Sequence, residues 1–261
     1  MAELGSHGPL HKPLFNQAIR RRGIYLLPNL FTTAALFAGF YAIVQAMNQV
    51  FEQAAVAIFV AMVLDGLDGR VARLTRTQSA FGAEYDSLSD MVSFGAAPAL
   101  VMYEWALKDL GRIGWVAAFV YCVGAALRLA RFNTNLGVVD KRFFQGLPSP
   151  AAAALVAGFV WLASDNKIPV SAYGMPWVAA FLALYAGITM VSNVPFYSFK
   201  DINLRRSVPF AVILLIVLVF VLISTDPPIV LFLLFVAYGM SGYVYWLWRR
   251  QLRGRQPTPQ P

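Results

Sequence analysis

The sequence predicts an all-α polytopic membrane protein of about eight transmembrane helices, opened by a short interfacial amphipathic helix, with both termini in the cytoplasm. Three observations carry this expectation. The chain is 59% hydrophobic and only 13% charged, against about 25% charged for an ordinary soluble domain. Its apolar residues gather into stretches long enough to cross a hydrocarbon core of roughly 30 Å at about 1.5 Å per helical residue. Its basic residues collect at alternate ends of those stretches.

Residues 1–25 form a polar, basic tail. Within it, Leu14, Phe15, Ala18 and Ile19 precede Arg20, Arg21 and Arg22, the pattern of a segment lying along the membrane surface. No apolar core or small-residue cleavage site precedes the first long span, so a cleavable signal peptide is not expected. The expected spans then follow at 26–48, 51–72, 83–106, 112–134, 149–165, 174–194, 208–225 and 227–248. Residues 26–194 are expected to form a six-helix catalytic unit. Residues 195–261 add two helices of nearly pure Val, Leu, Ile and Phe and a basic tail, with no intramembrane charge and a scaffold role.

Orientation follows from the positive-inside rule. With the N-terminus in the cytoplasm, of the 21 Lys and Arg only Lys108, Arg112 and Lys167 fall on the far side. Trp105, Trp161, Trp177, Trp246 and Trp248 suit the aromatic belts at the two interfaces. The net charge of +8 is spread over span ends and forms no stripe, which points to anionic lipid headgroups and away from nucleic acid. The lone Cys122 cannot form an internal disulfide and sits in an apolar run, consistent with burial. Both histidines, His7 and His11, lie in the tail, so a metal site in the membrane would have to use carboxylates, which favour Mg²⁺, Mn²⁺ or Ca²⁺ over zinc.

Such carboxylates are present. Asp65, Asp68, Asp86 and Asp90 fall within the second and third spans, where each charge costs about 2.5–3.5 kcal/mol at a bilayer centre and marks a functional site by default. Asp65 and Asp68 share a helix face with Ala72, while Gly82, Asp86 and Asp90 recur every fourth residue as one stripe. Two helices joined by a short cytoplasmic turn can oppose these stripes. Three or four carboxylates then suffice to hold two cations about 3.5–4 Å apart, as phosphoryl-transfer sites do. The bland alternative is an ion-pair network with Arg70, Arg73 and Arg76. Gly66, Gly69, Ala72 and Gly82 suit close approach of a nucleotide, or equally close helix packing.

The run Asp65–Asp68–Gly69–Ala72–Arg73–Gly82–Asp86–Asp90 fits D-x2-D-G-x2-A-R-x8-G-x3-D-x3-D at every fixed position. It resembles the signature of the CDP-alcohol phosphotransferase family. The likeness extends to Pro28-Asn29 and Thr32, Phe94-Gly95, Arg128 to Asn133, and Gly146 to Pro150, and is greatest to the integral-membrane phosphatidylserine synthases of that family. It covers the first three quarters of the chain and stops near Asn193. The resemblance implies metal ligation by Asp65, Asp68 and Asp86, with Asp90 beside the metals, counted among their ligands, and serving as catalytic base. It implies a CDP site formed by Asn29, Thr32, Asp65, Gly69, Ala72, Arg73 and Gly82, two divalent cations (Mg²⁺ or Mn²⁺), and a homodimer in a prokaryotic cytoplasmic membrane with its site facing the cytoplasm. The implied reaction is transfer of a phosphatidyl group from CDP-diacylglycerol to the hydroxyl of L-serine, releasing CMP.

Other readings stay open from the residues themselves. Asn29 and Thr32, behind a Pro28 at an expected helix start, suit capping or interhelical bonding as well as nucleotide contact. Arg128 and Arg131 suit an anion clamp for the serine carboxylate, or simple snorkelling at a span end. Lys141 and Arg142 either line the same cavity or act as topology signals. The acceptor could instead be glycerol 3-phosphate, phosphatidylglycerol or an inositol compound. A cation transporter would use the same aspartates, but the acids cluster at one face and the last two spans offer no matching half-site.

Overall fold

A computed structural model describes residues 14–75, 77, 79–134, 143–165, 174–198 and 210–253. Nearly all of them are helical. The first helix, α1, runs Leu14–Met47, and α2 follows at Phe51–Thr75. The turn between them is tight because Gln49 adopts a left-handed conformation (φ 61°). Its N–H and that of Val50 fold back onto the carbonyls of Ala46 and Gln45, both at 2.9 Å, which satisfies the open end of α1.

The expected third span is helical but divided. It comprises α3 (Ala80–Asp90), a π-helical segment (Met91–Ala96) and α4 (Ala97–Trp105). The π segment inserts its wide turn directly after Asp90, as such segments often do beside functional sites. Tyr121, fully buried, donates its hydroxyl to the Phe94 carbonyl at 2.9 Å within that segment. A single 3-10 turn (Leu107–Leu110) leads into α5, Arg112–Thr134.

The remaining elements are β1 (Phe143–Gln145), α6 (Ser149–Asp165), α7 (Met175–Val191), β2 (Pro195–Tyr197), α8 (Phe210–Thr225) and α9 (Pro227–Arg253). The two short strands pair antiparallel, with Phe144 opposite Phe196. Sequence reading missed them, since three-residue strands leave no measurable alternation. Ala-rich α6 forms the axis of the core and is buried along most of its length. It packs on α2, α4, α7 and α9, while α1 pairs with α2, and α5 with α7. The α5–α7 pair is close because glycines face each other: a Cβ on Gly124 would stand 2.4 Å from the Gly187 carbonyl oxygen.

Among the described residues three helices are long and apolar enough to cross a membrane: Leu27–Met47, Arg112–Thr134 and Pro227–Gln251, with α6 and α7 shorter but also apolar. Large side chains such as Phe37, Phe119, Phe181 and Phe220 stand more than half exposed, a surface that water disfavours and lipid accepts. The protein is a membrane protein of α-helices.

Three local expectations change. The segment from Leu14 to Arg22 continues into the first span as one helix instead of standing apart from it. Pro28 therefore lies inside α1, not at its start. Trp105 is a core residue, 6% exposed and edge-on to Phe159 at 5.5 Å, so it is not at a belt position. Its aromatic payload is better buried against α6 than left at the interface.

Candidate active site

Three helices build the site. Ser79 caps α3: extended at φ −136°, ψ 155°, its hydroxyl accepts the Gly82 N–H at 3.0 Å. That cap satisfies one of the open amides of the first turn and sets the phase of the stripe that follows, Gly82–Asp86–Asp90. α2 presents Asp65 and Asp68 one turn apart. One carboxylate oxygen from each of Asp65, Asp68 and Asp86 lies within 4.8 Å of the other two. The Asp90 carboxyl comes within hydrogen-bonding range of Asp65.

The third helix is α1, which holds this arrangement without contributing a charge. Thr32, buried, donates its hydroxyl to Asp68 Oδ2 at 2.7 Å, and the Gly69 N–H binds the same carboxylate. Ser89, between Asp86 and Asp90, donates to the Thr32 carbonyl at 3.1 Å. One turn on, Ser93 donates to the Ala35 carbonyl at 3.1 Å. Thr33 and Tyr85 share a hydrogen bond at 2.9 Å on the outer side.

The family model for CDP-alcohol phosphatidyltransferases matches residues 25–196, a stretch that contains the whole aspartate cluster. The chain belongs to the CDP-alcohol phosphatidyltransferase family. It is 38% identical over 86% of its length to a CDP-diacylglycerol–serine O-phosphatidyltransferase of Helicobacter pylori, spanning 92% of that protein. It is 33% identical over 84% of its length to one of Mycobacterium bovis, spanning 78% of it. A third, from Methanocaldococcus jannaschii, is 39% identical over 55% of this chain and 63% of its own.

The residues of the cluster fit a divalent metal. The donor set is all carboxylate oxygen, the preference of hard cations. Among the described residues no Lys or Arg stands within 4 Å of any of the four aspartates' oxygens, so Arg70 and Arg73 form no ion pair with them, while Arg76 lies outside the described residues. Asp86 Oδ1 is buried with no hydrogen-bond partner among the described residues. A buried carboxylate oxygen without a donor is costly, and a cation is the partner that would satisfy it together with its neighbours.

The other predicted residues distribute unevenly. Gly82 faces Asn29: a Cβ there would stand 3.5 Å from Asn29 Oδ1 and 3.1 Å from Ser79 Oγ. Gly69 and Arg73 adjoin on α2, the guanidinium 3.6 Å from where a Cβ on Gly69 would be, and Ala72 lies between cluster and helix end. Thr32 points into Asp68, an interhelical bond of the kind the sequence left open. Arg128 donates to Ser149 Oγ and stands close enough to Asp65 and Asp90 to interact with both. Arg131 turns elsewhere. Its Nη2 donates to the Val191 carbonyl at 2.7 Å, and Nη1 to the Ser192 carbonyl and Asn193 Oδ1 at 3.3 and 3.2 Å. It thus closes the C-terminus of α7, where a cation suits the helix dipole. Lys141 and Arg142 lie outside the described residues.

Sequence reading missed Ser93 and Tyr121, and it noted Ser89 and Ser149 only as members of motifs, without a role. Small hydroxyls in apolar runs were the available signal, since Ser89 and Ser93 recur one turn apart beside Asp90. Asn133 was noted within a motif, but not its partner: its Nδ2 donates to Ser87 Oγ at 2.9 Å and docks α5 on α3.

Proposed function

We propose that this chain transfers the phosphatidyl group of CDP-diacylglycerol to the hydroxyl of L-serine, forming phosphatidylserine and CMP. The observation that carries this is the convergence of Asp65, Asp68 and Asp86, with Asp90 alongside, in a chain whose relatives bear that enzyme's name across most of their length.

Asp65, Asp68 and Asp86 would hold two divalent cations, Mg²⁺ or Mn²⁺, with Asp90 at their edge. Held there, they would supply charge to neutralise the pyrophosphate and polarise its phosphoryl oxygens. Asn29, Gly69, Ala72, Arg73 and Gly82 border the CDP moiety, the small residues leaving room for it and Arg73 supplying a fork for phosphate. Asp90 accepts the proton of the serine hydroxyl, a weak nucleophile at its ordinary pKa. The serine oxygen bonds to the phosphorus that carries diacylglycerol, and the bond from that phosphorus to CMP breaks. Arg128, held by Ser149 and facing Asp90, binds the serine carboxylate. Lys141 and Arg142 stand next in line for that role.

The eight helical stretches cross a prokaryotic cytoplasmic membrane with both termini inside, so the site opens at the cytoplasmic face. Acyl tails then stay in lipid while CDP and serine stay wet. The catalytic unit is 26–194, residues 195–261 are an addition to it, and the working form is a homodimer.

The test is a panel of acceptors. Purified protein in detergent with CDP-diacylglycerol and Mn²⁺ or Mg²⁺ should release CMP with serine and not with glycerol 3-phosphate, phosphatidylglycerol or inositol phosphate. EDTA should abolish the release and added cation restore it. Preference for glycerol 3-phosphate would overturn the acceptor, and full turnover without metal would overturn the mechanism.

A further inference from the structure

Thr32 holds no charge and was expected at the nucleotide, yet it bonds to both halves of the aspartate cluster. Its hydroxyl donates to Asp68 Oδ2 on α2 at 2.7 Å, and its carbonyl accepts from Ser89 Oγ on α3 at 3.1 Å. Both side-chain partners are nearly closed to solvent, Asp68 5% and Ser89 2% exposed. Ser89 lies between Asp86 and Asp90, so its position fixes the stripe. The next rung has the same form: Ser93 donates to the Ala35 carbonyl, at a point where Gly39 lets the α3 side approach so closely that a Cβ would meet Ser93 Oγ at 2.5 Å.

We infer that Thr32 is a positioning residue that clasps the Asp68 helix to the Asp86–Asp90 helix and so sets the separation of the carboxylates. The hydroxyl has one proton. It lies closer to Asp68 than to the Pro28 carbonyl, its other acceptor, at 3.2 Å. The charged acceptor makes the stronger bond, so the proton is directed at Asp68. That bond occupies one lone pair of Oδ2 and orients the carboxylate, leaving its remaining lone pairs for a cation. Thr32 thereby acts on the metal through Asp68, and its contact with a nucleotide is not required. The inference rests on the proposed metal-holding role of the aspartates.

The experiment titrates Mn²⁺ alone into detergent-purified protein without nucleotide and follows the free-ion electron paramagnetic resonance signal. Partners of metal ligands typically contribute about 10–100-fold in affinity. Thr32→Val keeps the shape, removes the hydroxyl and should weaken Mn²⁺ binding by about that factor. Thr32→Ser restores the hydroxyl and should return affinity to near the wild-type level. Ser89→Ala leaves the Thr32 hydroxyl in place but frees the second helix, and should weaken binding by less than Thr32→Val does. In turnover assays the KM for CDP-diacylglycerol at saturating Mn²⁺ should change little in all three. Unchanged Mn²⁺ affinity in Thr32→Val and Ser89→Ala, with tight binding by the wild type, overturns the clasp alone. So does a raised KM for CDP-diacylglycerol in Thr32→Val at intact Mn²⁺ affinity, which would return Thr32 to the nucleotide. A wild type that binds no Mn²⁺ overturns the metal reading, and the clasp with it. If Thr32→Val does not fold, Thr32→Ser and Ser89→Ala still decide: strong binding by the first and weakened binding by the second support the clasp.

Discussion

Arg128 and Arg131 sit three residues apart at one end of α5, and the structure gives them different work. Replacing Arg131 with Ala removes three contacts at the end of α7, of which the 2.7 Å bond to the Val191 carbonyl is short and the two at 3.2 and 3.3 Å are long. A hydrogen bond to a charged group contributes about 1.5–3 kcal/mol, and a cation at a helix C-terminus adds about 0.3–1 kcal/mol. The long pair share one nitrogen and add little, so the loss should be about 2–4 kcal/mol. For a chain of this size each kcal/mol shifts the melting temperature by about 2–4 °C, which gives a fall of roughly 4–16 °C. The assay is thermal unfolding in detergent, paired with serine saturation curves at saturating CDP-diacylglycerol. Arg131→Ala should melt early yet keep the serine KM of the wild type at low temperature. Arg128→Ala should raise that KM by roughly 10- to 150-fold, the equivalent of one charge-assisted bond. A raised serine KM in Arg131→Ala with unchanged melting would refute the division and make Arg131 the acceptor's partner.

Two other substitutions probe separate parts of the framework. Asp90→Asn keeps shape but removes basicity; turnover should fall by about 10²–10⁴-fold while CDP binding survives, and an equal loss of CDP affinity would make Asp90 chiefly a metal ligand. Gly124→Ala places a methyl 2.4 Å from the Gly187 carbonyl oxygen, so α5 and α7 must separate at a cost of about 1–3 kcal/mol; an unchanged melting temperature would contradict the packing described.

The helices were legible because apolar runs and span-end arginines are long, redundant signals. The run 112–134 coincides with α5, and 149–165 with α6. The aspartate cluster was legible because charge is costly among apolar residues and its spacing left few ways to face the four groups. What stayed hidden depends on contacts between distant positions. Nothing around Thr32 announces Asp68, thirty-six residues away. Arg128 and Arg131 have the same chemistry, and only the position of α7 assigns one of them to its carbonyls. The π segment was invisible because it changes the hydrogen-bond pattern of a helix without changing its composition. Trp105 was misread because burial, not amphipathic chemistry, decides its place.

The central claim is that the aspartate cluster carries metal-dependent transfer of a phosphatidyl group to serine. The most direct measurement follows isotopically labelled L-serine into lipid alongside CMP release, in wild type and in Asp86→Asn, with Mn²⁺ and with EDTA. Asp86 is chosen because its buried Oδ1 has no hydrogen-bond partner among the described residues, and a cation would satisfy it. One labelled phosphatidylserine per CMP is expected in the wild type with Mn²⁺, and neither product with EDTA or with Asp86→Asn. CMP release without label in lipid, or label incorporation that persists in Asp86→Asn, would contradict the claim.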